Sequence, residues 1–181
     1  MNLPNKISIF RIALVPLLVL TFHFFKEPLN YNLSLIVFII GSISDIIDGY
    51  LARRDNLVTV FGKFVDPVAD KLLVNTALVL LAVNGDIHVF AFLLMFWRDM
   101  IVDGVRMISA TENEVIAASI FGKLKTILQM IAIIMLFLRN WPFNQLNIPM
   151  ADLVLWLAVI ASLFSGLDYL IKSKDVWFKS N

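Results

Sequence analysis

Four aspartates stand out in a chain of 181 residues that is 60% hydrophobic. Asp45 and Asp48 are three residues apart, and Asp66 and Asp70 are four apart. In a helix, either spacing puts both carboxylates on one face. Both pairs fall inside segments apolar enough to cross a bilayer. There an isolated ionised side chain costs about 2.5–3.5 kcal/mol on insertion scales, so four of them need compensation. The pairs flank one short break, and antiparallel neighbouring helices would turn them toward each other. Facing carboxylates without matching bases form an oxygen-rich cage suited to hard divalent cations such as Mg²⁺, Mn²⁺ or Ca²⁺. Four carboxylates can hold two ions ~3.5–4 Å apart, the arrangement used for phosphoryl displacement. Plainer roles exist for each: Asp48 paired with Arg53 or Arg54, Asp70 with Lys71 or Lys63, Asp66 capping a helix ahead of Pro67. Any one aspartate fits such a role, but the four spacings together favour the cage.

A second set of charges lies further along. Arg98 and Arg106 are eight residues apart, close to one helix face. Lys123 and Lys125 follow, with Gln129 beyond them. Arginines facing the interior of a bundle point to an anionic group, because the planar guanidinium fork matches phosphate. The alternatives are ion pairs with Asp99 or Asp103 for the arginines, and ordinary inner-surface charges for the lysines.

These residues need helices to position them. The mean hydropathy of +0.85 exceeds that of soluble domains, which are nearer half apolar. Six apolar segments can be marked, at Ile7–Phe25, Leu33–Leu51, Val65–Val83, Ile87–Ile108, Leu124–Leu138 and Met150–Ile171. Most approach the ~20 residues that span ~30 Å of hydrocarbon, and the fifth does so only if Gly122 and Lys123 extend it. Turn-forming breaks at Glu27-Pro28, Asn84-Gly85-Asp86 and Asn140-Trp141-Pro142 separate them. The expected fold is all-α: a single polytopic membrane bundle of six transmembrane helices over residues 1–181. Five spans would result if the first segment, which carries Arg11, lay along the surface. That segment has no small-residue cleavage site and reads as a retained span.

Lysine and arginine set the orientation. With the N-terminus inside, the outer loops hold only Lys26 and Arg139, while Lys6, Arg53, Arg54, Lys63, Lys123, Lys125, Lys172, Lys174 and Lys179 fall inside. Both termini are therefore expected in the cytoplasm. A net charge of +1 carries no global basic bias, and no nucleic-acid partner is expected. The absence of cysteine excludes disulfides and cysteine-based zinc sites, and His23 and His88 are too far apart in sequence for a multi-histidine metal site.

The run Asp45-Ile46-Ile47-Asp48-Gly49-Tyr50-Leu51-Ala52-Arg53, then eight residues, then Gly62, Asp66 and Asp70, resembles the signature of the CDP-alcohol phosphotransferase family. All eight fixed positions over 26 residues are filled. Gly49 and Ala52 would let a pyrophosphate and nucleotide approach the backbone, unless they only serve close helix packing. Arg53 would bind phosphate or nucleotide, unless it is a snorkelling interface charge. Gly62 would allow a close approach or a sharp turn before the third span.

The resemblance implies transfer of a phosphatidyl group from CDP-diacylglycerol to an alcohol, with release of CMP, at the inner interface of a cytoplasmic membrane. It implies Mg²⁺ or Mn²⁺, two per site, on Asp45, Asp48, Asp66 and Asp70, with Asp70 also the base for the acceptor hydroxyl. It implies a donor site of Asn5, Asp48, Gly49, Ala52, Arg53 and Gly62, and a homodimer. Leu3-Pro4-Asn5-Lys6-Ile7 with Arg11, the Arg98 and Lys123–Lys125 segments, and Asp168-Tyr169 resemble the subgroup whose acceptor is glycerol 3-phosphate. Arg98, Arg106, Lys123 and Lys125 would then bind the acceptor phosphate. One position departs: that subgroup commonly has Arg-Glu where this chain has Arg98-Asp99, and the shorter acid keeps the charge but not the reach. Other acceptors, among them phosphatidylglycerol, serine and inositol phosphate, keep the same chemistry. A divalent-cation transporter is the reading from a different class, but transport sites usually lie near the midplane between repeats, and no repeat is visible.

Overall fold

The computed structural model describes residues 3–54, 59–111 and 119–173. Among them are six α-helices and no strand: α1 (Leu3–Phe24), α2 (Leu29–Arg54), α3 (Val60–Val83), α4 (Val89–Thr111), α5 (Ile120–Phe137) and α6 (Met150–Lys172). The six expected segments and the six helices coincide to within a few residues at most ends. α5 begins at Ile120, so Gly122 and Lys123 do extend it to 18 residues. Four helices, α1, α2, α5 and α6, are long and apolar enough to cross a membrane by length and composition. α3 and α4 are as long, with 24 and 23 residues. They are less uniformly apolar because they carry Asp66, Asp70 and Lys71, and Arg98, Asp99, Asp103 and Arg106, respectively.

The distribution of side chains is that of a membrane bundle. Ile9, Phe10, Leu17 and Leu20 of α1 are exposed, while Asn5, Ser8 and Arg11 of the same helix are buried. A helix in water would reverse this. In lipid the outer face is apolar and the polar groups must be satisfied inside the protein.

The chain forms two compact units, Met1–Asn84 with Phe137–Arg139, and Gly85–Leu136 with Asn140–Asn181. In the first unit, α1 buries a stripe through Pro4, Asn5, Ser8, Arg11, Leu14, Leu18, Thr21 and Phe22, at the three- and four-residue steps of one helix face. Arg11 meets Asp48 at one end of α2 and Thr21 meets Ser34 near the other, so α1 and α2 run antiparallel. Asn5 meets Thr59, and Ser8 meets Asp66, so α1 and α3 run parallel. α1 is therefore a member of the bundle rather than a separate helix along the surface. Gly41 lets α2 and α3 close: a Cβ there would stand 2.5 Å from a Leu73 methyl. Small residues at such crossings are what membrane packing uses, since lipid leaves no hydrophobic force between helices. At the far end, Phe22 packs edge-on to Tyr31 and Phe137. Asn84 donates to the Tyr31 oxygen at 2.7 Å, and Arg139 pairs with Glu27 at 2.8 Å.

In the second unit, α6 buries Ala151, Leu155, Ala158, Ser162, Ser165, Gly166 and Tyr169, largely a stripe of small residues. Arg98 of α4 meets Ser162, and Arg106 meets Tyr169, so α4 and α6 run parallel. The turn into α6 is held by Asn140, whose amide donates to the Ile148 carbonyl at 2.6 Å and whose oxygen accepts from the Ala151 N–H at 2.9 Å.

Candidate active site

In the first unit the site is built from the start of α3. Thr59 is its N-cap, its hydroxyl accepting from the Gly62 N–H at 2.9 Å. That satisfies one of the four N–H groups a helix start leaves unpaired. Asp66 is thus an interior residue of α3 and not its cap. The Thr59 hydroxyl donates in turn to Asn5 Oδ1 at 3.1 Å, which ties the start of α1 to the start of α3. A Cβ on Gly62 would stand 3.0 Å from Asn5 Oδ1 and 3.2 Å from Thr59 Oγ1. Gly62 therefore serves a close approach within the first turn of α3, not a turn before it.

From this anchor two further residues of α1 reach the carboxylates. Ser8 Oγ lies 2.5 Å from Asp66 Oδ1 and 3.3 Å from Asp48 Oδ2, within reach of both with one proton to give. Arg11 is 0% exposed, with Nη1 2.7 Å from Asp45 Oδ1 and Nη2 2.6 Å from Asp48 Oδ2, and its Nε is 3.4 Å from Ser44 Oγ. Asp45, Asp48 and Asp66 are brought together, on helices α2 and α3 as the spacing requires. Asp70 follows Asp66 by one turn on the same face of α3, half-buried.

The expectation of carboxylates without matching bases is corrected by Arg11. A basic side chain from α1 stands against two of the aspartates, Asp48 at 3% exposure and Asp45 at 44%, because a buried carboxylate such as Asp48 needs a counter-charge in a low-dielectric interior. Among the described residues no three carboxylates or histidines are placed closely enough to hold a metal ion together. The donor set nevertheless suits a hard divalent cation. It is all oxygen, from Asp45, Asp48, Asp66 and the Ser8 hydroxyl, and its three carboxylates outnumber the one guanidinium among them.

Of the other expected donor residues, Asn5 is buried and faces Gly62. Gly49 follows Asp48 on α2. The side chains of Ala52 and Arg53 lie outside the described residues, as do Lys174 and Lys179.

The second unit holds the other predicted cations, and here an ion pair is present. Asp99 of α4 accepts from Arg98 Nη1 at 2.8 Å and from Lys125 Nζ at 2.7 and 3.0 Å. Arg98 also donates from Nε to the Ser162 carbonyl at 3.1 Å and from Nη2 to Ser165 Oγ. α6 therefore holds the guanidinium in a fixed plane. Gly166 makes room for its stem, since a Cβ there would lie 2.9 Å from Arg98 Cγ. Arg106 is exposed, donates to the Tyr169 hydroxyl at 2.7 Å and lies over that ring at 5.0 Å. Lys123 is exposed. Gln129 Nε2 and Ser162 Oγ are buried and have no hydrogen-bond partner among the described residues.

Sequence reasoning missed Ser8, Thr59, Ser162, Ser165 and Gly166, and used Arg11 only as part of a resemblance and as a reason the first segment could lie along the surface. Arg11 was legible by its type alone: an arginine inside an apolar span requires a partner. The serines give no such signal, because single hydroxyls are common at membrane-helix contacts.

An all-helical, multi-pass membrane protein whose buried acids and bases are gathered into discrete clusters is built as an integral membrane enzyme. The sequence model of the CDP-alcohol phosphatidyltransferase family matches residues 1–164. The chain belongs to that family. It is 41% identical over 191 residues to the CDP-diacylglycerol–glycerol-3-phosphate 3-phosphatidyltransferase of Bacillus subtilis (strain 168), with 99% of each chain covered. Proteins of the same name from Rickettsia bellii (strain RML369-C) and Haemophilus influenzae (strain ATCC 51907) are 38% and 37% identical, covering 93% and 96% of this chain and 93% and 94% of their own.

Proposed function

We propose that this chain transfers the phosphatidyl group of CDP-diacylglycerol to sn-glycerol 3-phosphate, giving phosphatidylglycerophosphate and CMP. The observation that carries the reading is similarity along nearly the whole chain to proteins of that named activity. The family match runs through both compact units, which supports one functional domain over residues 1–181. The asymmetry of lysine and arginine supports a cytoplasmic-membrane protein with both termini and its site facing the cytoplasm. A homodimer is part of the same reading.

In this assignment Asp45, Asp48, Asp66 and Asp70 hold divalent cations, two per site. Bound there, Mg²⁺ or Mn²⁺ neutralises pyrophosphate charge and stabilises the departing CMP. Asn5, Asp48, Gly49, Ala52, Arg53 and Gly62 line the donor site. Arg98, Arg106, Lys123 and Lys125 hold the acceptor phosphate. The acceptor hydroxyl oxygen forms a bond to the phosphatidyl phosphorus, its proton passes to Asp70, and the bond from that phosphorus to the bridging pyrophosphate oxygen breaks. CMP leaves with that oxygen.

The purified chain, given CDP-diacylglycerol, should release CMP only when glycerol 3-phosphate is added. Chelation should abolish the release, and Mg²⁺ or Mn²⁺ should restore it. CMP release driven by phosphatidylglycerol instead would make the acceptor assignment wrong, and metal uptake without any CMP release would make the enzyme assignment wrong.

The acceptor cluster gives its own expected result. Gly166→Ala must displace the Arg98 stem, and Arg106→Ala removes a cation without leaving a buried acid behind. Each should raise KM for glycerol 3-phosphate by about tenfold, ~1.4 kcal/mol, and leave KM for CDP-diacylglycerol near its starting value. Equal changes for both substrates would mark the cluster as structural.

A further inference from the structure

We propose that Arg11 of α1, with Ser8 one turn before it, is a positioning residue that aims the carboxylates of α2 and α3 at the divalent cation. The inference rests on the proposal above that Asp45, Asp48 and Asp66 hold such an ion.

Three observations carry it. Arg11 is fully buried, so its charge is committed to the protein interior. Its two terminal nitrogens are divided between two carboxylates, one oxygen each, at 2.7 and 2.6 Å. Ser8 Oγ, with one proton to give, stands 2.5 Å from Asp66 Oδ1, with Asp48 Oδ2 at 3.3 Å and the Pro4 carbonyl at 3.1 Å as the other acceptors in reach. Two carboxylates on one helix face would otherwise repel and turn apart. The planar guanidinium sets their separation and orientation as a point charge cannot. Nη2 donates to Asp48 Oδ2, while Nη1 faces Asp45 Oδ1 as an ion pair without hydrogen-bond geometry, and the second oxygen of each carboxylate is left to a ligand. Ser8 orients Asp66 of α3 from the same helix, its shortest contact being the one to that carboxylate. The aiming device thus comes from α1, an element outside the run that bears the carboxylates.

Two other roles would use the same contacts. Arg11 could be an ion pair that only holds α1 in the bundle, or a competitor that fills the cation's place. Arg11→Lys separates aim from charge, because lysine keeps the charge and loses the fork. The full chain in lipid nanodiscs would be titrated with Mn²⁺, with free ion read from its six-line paramagnetic resonance spectrum and thermal unfolding followed on the same samples. Loss of an outer-shell partner typically weakens metal affinity by 10–100-fold. Arg11→Lys should fall in that range, and more than the unfolding temperature alone would explain. Ser8→Ala, which removes no charge and serves if the lysine variant does not fold, should weaken Mn²⁺ several-fold with an unchanged unfolding temperature.

Unchanged Mn²⁺ affinity in Arg11→Lys, or in Ser8→Ala when only that variant folds, would overturn the proposal in favour of a structural ion pair. Tighter Mn²⁺ binding in Arg11→Met than in the parent would overturn it in favour of competition. Failure of the parent chain to bind Mn²⁺ at all would remove the metal assignment itself, a result distinct from the other two.

Discussion

Asp66→Asn should remove nearly all CMP release while the protein inserts, purifies and unfolds at close to its normal temperature. The expected loss exceeds the ~100-fold that follows loss of an outer-shell metal partner, since the proposed role of Asp66 is that of a direct oxygen ligand and asparagine puts a neutral amide in its place. Asp66 is half-buried and hydrogen-bonded to Ser8, and it is not one of Arg11's two partners. Its charge can go without stranding another. Asp48→Asn differs in kind. Asp48 is 3% exposed and pairs with a guanidinium that is 0% exposed. Removing one partner of a buried pair typically costs 3–5 kcal/mol, because the other charge is left uncompensated. Asp45 still faces Arg11 and tempers this, so the expected outcome is lost activity together with a lowered unfolding temperature. The two variants, assayed for CMP release and thermal unfolding side by side, test the cluster as drawn. Near-normal rates in Asp66→Asn at low Mg²⁺ would show that this carboxylate holds no ion.

The second large effect belongs to Asp70. Asp70→Asn should lower kcat by about 10²–10⁴-fold, the usual contribution of a general base, far more than it weakens donor binding or Mn²⁺ affinity. Asn is nearly isosteric and cannot take the proton. The reason is position: Asp70 lies one turn beyond Asp66 on the same face of α3. If Asp70 is only a fourth metal ligand and not the base, the variant should bind metal weakly and recover its rate in excess metal. The decisive measurement is kcat against metal concentration, and substantial rescue would end the base assignment. Arg11→Lys offers a useful contrast, because a variant damaged in aim and affinity should recover in excess metal where a variant lacking its base should not.

Much of the first unit was legible from residue types and spacing. Apolar segments of membrane length had to be helices, because a helix satisfies its own backbone in lipid. Carboxylates three and four apart had to share helix faces, because the helical period is 3.6. Whole-chain hydropathy and the separation of Lys26 and Arg139 from the remaining cations pointed to a multi-pass protein before any coordinates. The second unit was less legible. Arg98 and Arg106 do share a face, and both reach α6. Yet whether Arg98 and Lys125 are paired with Asp99 depends on how α4, α5 and α6 pack, and no local pattern encodes that.

The sequence by itself determined the six helices, the face on which each aspartate pair sits and the family to which the chain belongs, because helical period and transfer free energy act over a few residues at a time. The tertiary structure decided that Arg11 stands between Asp45 and Asp48, that Ser8 stands against Asp66, that Thr59 rather than Asp66 caps α3, and that Gly166 makes room for Arg98. These are contacts between residues 34 to 68 positions apart, or caps at a helix boundary. A buried charge states only that it must have a partner. Which residue that partner is follows from the crossing of helices, and in a bilayer small residues such as Gly41 and Gly166 set how closely those crossings approach.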